Sequence, residues 1–132
     1  MPTFADDYSG DANTAGILTI NNYQYGVIDY LGDADWFKIY LKTGTTYQFD
    51  QFQTPIGESY HLDSFFRLLY ADATPIPYAF NDDSGGSRNA QLQFSPTATG
   101  YYYLSAEANY YTYLGELTGS YGLFAKEINH DP

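Results

Sequence analysis

From Asp35 to Lys42 the side chains alternate strictly. Phe37, Ile39 and Leu41 fall on one side of an extended chain, and Trp36, Lys38 and Tyr40 on the other. A period of two fits a half-buried strand and no helix. The same short pattern returns along the chain, broken at intervals of about ten residues by Gly, Asp, Asn and Pro. Candidate strands run over 17–20, 24–29, 35–42, 45–52, 65–71, 76–80, 90–95, 101–106 and 119–126. Thr43-Gly44 is a tight-turn pair, so 35–42 and 45–52 are expected to pair as a hairpin. No window carries a 3.6-residue period. The expectation is an all-β, antiparallel, jelly-roll-like β-sandwich of eight or nine strands with very little helix. Sixteen Tyr and nine Phe suit such pleated, half-buried surfaces.

At 132 residues the chain is expected to form one domain. It divides into an acidic N-terminal segment (5–16), a sandwich (17–127) and a tail (128–132). There is no cysteine, which excludes disulfides, Cys-ligated zinc, iron–sulfur clusters and a thiol nucleophile. Two histidines cannot make a three-His zinc site. Sixteen acids against five Lys and Arg leave a net charge of −11. Nucleic acid is excluded as a partner, because phosphate binding needs cations. Anionic membrane surfaces are disfavoured for the same reason, and no apolar run is long enough for membrane insertion. Cations or a basic partner are the natural complement, beside the simpler reading of a soluble acidic surface. Met1-Pro2-Thr3-Phe4 has no signal-peptide character. The expectation is either a cytoplasmic chain or a mature piece carrying an added Met1.

Two acidic clusters have cation-binding chemistry. The first is Asp6-Asp7-Tyr8-Ser9-Gly10-Asp11-Ala12-Asn13, with oxygen-bearing side chains at 7, 9, 11 and 13. Alternating oxygens suit calcium, which takes six to eight such ligands. The segment is not an EF-hand: Ala12 stands where that loop needs Gly, and Leu18 where it needs Glu. The second cluster is Gly32-Asp33-Ala34-Asp35-Trp36 at the start of the alternating strand. Two carboxylates two apart on an extended chain share a face and repel unless a proton or cation intervenes. The alternative is a solvated turn that simply favours Asp. Asp82 and Asp83, before Ser84-Gly85-Gly86, are a possible second metal position or a bare loop.

Other motifs point less far. Asp83-Ser84-Gly85-Gly86 echoes a serine-protease nucleophile segment, but no matching histidine motif precedes it. Ser59, His61 and Asp63 contain triad residue types, yet a triad is defined in space rather than by local proximity. No carboxylate pair for glycoside hydrolysis is signalled. Tyr101-Tyr102-Tyr103 would split between two faces of a strand. Tyr110, Tyr111 and Tyr113 fall in a candidate loop, as a ligand platform or as cover for the end of the sandwich.

Several strings occur together in order. They are Gly26-Val27-Ile28-Asp29-Tyr30-Leu31-Gly32-Asp33-Ala34-Asp35-Trp36-Phe37, Thr43 to Phe49, and Asp63 to Tyr70. Asn81 to Gly86, Gly100 to Leu104 and Gly119 to Leu123 follow. Over about residues 6–126 this order resembles the bacterial pre-peptidase C-terminal (PPC) domain, similar to the collagen-binding domains of clostridial collagenases. The resemblance implies a non-catalytic β-sandwich appended to exported enzymes or surface proteins. It would be removed on maturation or kept to bind an insoluble substrate. It also implies calcium held between the acidic N-terminal segment and the Asp motif, matching Asp6, Asp7, Asp33 and Asp35. Where many members have a Glu-Pro-Asn-Asp type segment closer to the following strand, Asp7 is followed here by a longer stretch containing Asp11 and Asn13, and Asp11 is expected to supply a ligand that the common pattern draws from elsewhere. The function expected is thus a calcium-binding module of a secreted or cell-surface bacterial protein. Its partner would be an extracellular polymer or protein surface, collagen-like or polysaccharide, or its parent enzyme domain. The alternative is a carbohydrate-binding module using exposed tyrosines.

Overall fold

In the computed structural model, residues 8–28, 34–53, 64–82, 90–108 and 119–128 are described. They contain eight strands and no helix: β1 (Tyr23–Ile28), β2 (Asp35–Leu41), β3 (Tyr47–Gln53), β4 (Ser64–Leu69), β5 (Pro75–Asp82), β6 (Ala90–Phe94), β7 (Gly100–Ala108) and β8 (Gly119–Glu127). Two four-stranded antiparallel sheets form, ordered β1-β8-β3-β6 and β2-β7-β4-β5. Among the described residues no helix is long and apolar enough to cross a membrane.

The alternation in β2 becomes a burial pattern. Phe37, Ile39 and Leu41 are sealed inside, while Lys38 and Tyr40 face out. They meet Tyr102, Leu104, Phe66 and Leu68 of the same sheet, and Tyr47, Phe49, Tyr121 and Leu123 of the other. Each such side chain contributes about 1.5–3 kcal/mol by leaving water. Of the Tyr101–Tyr103 run, Tyr102 enters the core and Tyr101 stays half exposed.

The expected hairpin does not form. β2 pairs with β7, in register Phe37↔Leu104, whereas β3 pairs with β6 and β8 in the opposite sheet. Thr43 to Thr46 is therefore a bridge between sheets, with Gly44 at φ +87°. The Thr43 N–H donates to Thr99 Oγ1 at 2.9 Å and the Lys42 N–H to the Tyr47 hydroxyl at 3.0 Å. Both apolar faces, 37/39/41 and 47/49, look inward from opposite layers, and that arrangement needs a crossover.

Nor is 17–20 a strand. It contributes a single parallel bridge, Ile17↔Lys38. Residues 8–18 instead form a strap along the free edge of β2. The Trp36 N–H donates to the Ser9 carbonyl (3.1 Å), the Lys38 N–H to Gly16 (2.9 Å), and the Leu18 N–H to Lys38 (3.0 Å). The Thr14 hydroxyl donates to the Trp36 carbonyl at 2.7 Å. Glycine permits the approach: a Cβ on Gly16 would lie 2.6 Å from the Trp36 oxygen, and one on Gly10 2.6 Å from the Ala34 oxygen. Tyr8 and Leu18 pin the strap from inside, the Tyr8 ring lying 4.5 Å from that of Phe37.

Candidate functional site

The start of β2 carries an ionisable group out of water. Asp35 is 0% exposed and faces inward, in line with Phe37 and Ile39. From β8 in the opposite sheet, the Tyr121 hydroxyl donates to Asp35 Oδ2 at 2.6 Å. A buried carboxylate is costly unless hydrogen-bonded and compensated in charge. Tyr121 supplies a hydrogen bond but no charge.

The strap brings the other acidic segment to the same strand end. Ser9 is bonded through its carbonyl to the residue after Asp35. Asp11 Oδ1 accepts from the Ser9 hydroxyl at 3.1 Å and from the Asn13 N–H at 2.9 Å, an Asx turn that shapes the loop. Asp11 itself is exposed. The structure thus joins the segment of Asp11 to the strand of Asp35. Asp6, Asp7 and Asp33 lie outside the described residues. Among the described residues no three His, Cys, Asp or Glu side chains gather into a cluster. At the second candidate position, Asp82 ends β5 in register with Phe65, and Asp83 lies outside the described residues. Tyr110, Tyr111 and Tyr113, and the Ser59, His61 and Asp63 trio, also lie outside them.

One further acid is buried. Glu107 on β7 accepts from the Ser105 hydroxyl at 2.7 Å and pairs with Arg67 Nε at 3.2 Å. Its charge is answered by a partly exposed guanidinium, so its role is structural.

The sequence reading missed two features. Nothing local links Tyr121 to Asp35, because the contact joins strands of different sheets. The outer face of β1-β8-β3 was also missed. There Tyr23, Tyr25, Phe52 and Phe124 gather above an open depression of about 570 Å³. A signal was present: Tyr-Gln-Tyr at 23–25 places two tyrosines on one face of a strand.

No protein-family profile and no curated protein matches the sequence. Solved structures do match. The pre-peptidase C-terminal domain of a collagenase from Bacillus anthracis superposes with a TM-score of 0.62 at 15% identity, over 84% of this chain and 93% of that one. A periplasmic inhibitor of g-type lysozyme from Aeromonas hydrophila matches with a TM-score of 0.49 at 16% identity, over 84% and 98%. The resemblance met in the sequence therefore holds at the level of fold. This chain is a β-sandwich built like a PPC domain.

Proposed function

We propose that this chain is a non-catalytic, calcium-stabilised module of an exported protein. It would hold its parent chain to an extracellular polymer or protein surface, or assist secretion and maturation of that parent. The observation that carries the reading is the complete burial of Asp35 at the strand end onto which the acidic strap is laced. The donor set is all oxygen and largely carboxylate, which suits a hard cation such as calcium. Asp35 would be the anchoring ligand, with Asp6, Asp7, Asp11 and Asp33 completing the set. A divalent ion there would favour the ionised form of the buried carboxylate. It also ties the strap to the sheet. A ligand that binds only the folded state adds about 2.7 kcal/mol at a hundredfold excess over Kd. Sites of extracellular modules fill in the range of about 10⁻⁴–10⁻³ M calcium, which accords with an exported location.

The test is a thermal melt in EDTA, in millimolar calcium and in millimolar magnesium. A rise in Tm specific to calcium, absent in Asp35→Asn, is expected. Equal melts in all three solutions overturn the calcium reading.

A further inference from the structure

We infer that the outer face of the β1-β8-β3-β6 sheet is a binding site for a neutral polysaccharide. The site lies on a different surface from the Asp35 carboxylate, which points into the core. It deepens the module reading by naming a ligand class, and it stands or falls independently of calcium.

Outward positions of a sandwich sheet are ordinarily polar. Here four of them carry rings. Tyr23 and Tyr25 on β1 are 53% and 57% exposed, although inward positions were open to aromatic residues elsewhere in the chain. Their rings lie 6.1 Å apart and within 9° of parallel. Phe124 packs 4.5 Å from Tyr23, and Phe52 meets Tyr23 edge-on at 6.1 Å.

Gly122 sets how two of these rings lie. It sits on β8 between Tyr25 and Phe52, in register with both. A Cβ there would come within 2.4 Å of Phe52 Cζ and 3.1 Å of a Tyr25 ring carbon. The missing side chain lets both rings settle toward the sheet. The depression that Tyr23, Tyr25, Phe52 and Phe124 help to line, about 570 Å³, is the size of a ligand site, open rather than enclosed.

Beside the rings stands a fixed polar row. Asp50 on β3 accepts from Gln91 Nε2 at 2.9 Å on one oxygen and from Gln48 Nε2 at 3.3 Å on the other. A carboxylate has about four acceptor positions, so two amides hold it in place and leave acceptor capacity toward solvent. Exposed aromatic rings next to an oriented carboxylate–amide row match one chemistry well. The rings take the C–H face of a sugar, and the carboxylate takes hydroxyl protons.

Charge narrows the class. Among the described residues the depression is lined by one carboxylate and no Lys, Arg or His, on a chain of net charge −11. Polyanionic glycans are repelled, and neutral ones are not.

The test is affinity electrophoresis in gels holding hydroxyethylcellulose, xylan, galactomannan or laminarin, with pull-down on chitin and cellulose. Heparin and gelatin serve as polyanion and protein-polymer comparisons. Retention by at least one neutral polysaccharide is expected, in EDTA as in calcium. Tyr23→Ala and Tyr25→Ala should each weaken it about tenfold or more, as loss of an aromatic anchor does. Asp50→Asn should weaken it severalfold. Tyr78→Ala, at an exposed ring on the other sheet, should change nothing. All four positions are at least partly exposed, so variants melting like the parent are the ones compared. The assignment is overturned if no neutral polysaccharide retains the protein, or if retention survives both tyrosine substitutions. It is also overturned if only heparin or gelatin is bound. Retention that vanishes in EDTA while the protein stays folded would place the ligand at the metal instead. Failure here leaves the calcium melt untouched, and failure of that melt leaves retention untouched.

Discussion

The hydroxyl of Tyr121 donates to the Asp35 carboxylate at 2.6 Å, between residues 86 apart in sequence and on opposite sheets of the sandwich. Both side chains are sealed from solvent. The bond therefore fixes the mouth of the core on one side and orients a buried acid on the other. Tyr121→Phe keeps the ring packed edge-on against Phe37 and removes only the donor. A buried hydrogen bond is worth about 0.5–1.5 kcal/mol, and about 1.5–3 kcal/mol where its acceptor is ionised, so urea denaturation should show a loss of about 0.5–3 kcal/mol. With calcium at Asp35, part of this loss should return when the ion is added. A loss below about 0.5 kcal/mol would mean the carboxylate is held by other groups, since an ordinary surface change costs no more.

The strap along β2 depends on close backbone approach. Gly16→Ala would place a Cβ 2.6 Å from the Trp36 oxygen and 3.0 Å from both Phe37 Cδ2 and Tyr8 Cδ1. Backbone on one side and core rings on the other leave little room to yield. A destabilisation of about 1–3 kcal/mol is expected, as for overpacking. Hydrogen exchange should localise it: the Trp36 and Lys38 amides, which the strap protects, should exchange faster than those of β4 and β7. Unchanged exchange at these two amides would contradict the lacing described here.

In the turn from Tyr70 to Thr74, Asp72 Oδ1 accepts from the Thr74 hydroxyl at 2.6 Å and from its N–H at 3.1 Å. These two bonds, the hydroxyl first, hold the Asp72 carboxyl below its ordinary value of 3.8. A depressed carboxyl contributes stability above its unfolded pKa and loses it as pH falls through the folded one. The effect is thus complete at neutral pH and disappears only below about pH 3.8. An NMR titration should give Asp72 a midpoint under 3.8, and Thr74→Val should move it back upward. An unmoved midpoint would remove the hydroxyl as the main cause.

Tyr78 has φ +63° and is 89% exposed on edge strand β5, where the pairing with β4 shifts register between Arg67 and Leu69. A left-handed backbone costs a side-chain-bearing residue about 1–2 kcal/mol. Glycine removes that cost but adds about 0.5–1 kcal/mol of unfolded-chain entropy. Tyr78→Gly should therefore be neutral or stabilising by up to about 1.5 kcal/mol by chemical denaturation, and Tyr78→Ala should bring no such gain. A clear destabilisation by glycine would give the tyrosine ring a structural role.

What the sequence disclosed and what it hid divide along the range of the interactions. The alternation at 35–41 identified β2 and its inward face, because period-two burial is local. Turn residues placed most strand ends within two positions. The partner of β2 was not local: β7 begins at Gly100, and nothing in Thr43-Gly44 distinguishes a hairpin from a crossing between sheets. Residues 17–20 read as a short strand because Ile17 and Leu18 are apolar, yet of these two only Leu18 is buried, and the stretch ends the strap. Asp35 stood out as an acid beside a strand, but its burial depends on β8. The Tyr23–Tyr25 face was overlooked because loop tyrosines drew the reading away from strand positions whose inward neighbours were unknown.

The strap has a consequence for how copies of this molecule behave together. A bare strand edge is a template on which another chain can add. Along β2 that template is already taken by the chain's own residues. At the opposite edge of the same sheet, β5 carries Pro75, Pro77 and the reversed backbone at Tyr78. Proline offers no N–H to a newcomer, and the kink breaks the straight run that pairing requires. This sheet is thus protected at both margins against edge-to-edge growth. An anionic surface of net −11 adds repulsion at distance. Such a unit can be crowded on a surface or repeated along a chain without polymerising through this layer.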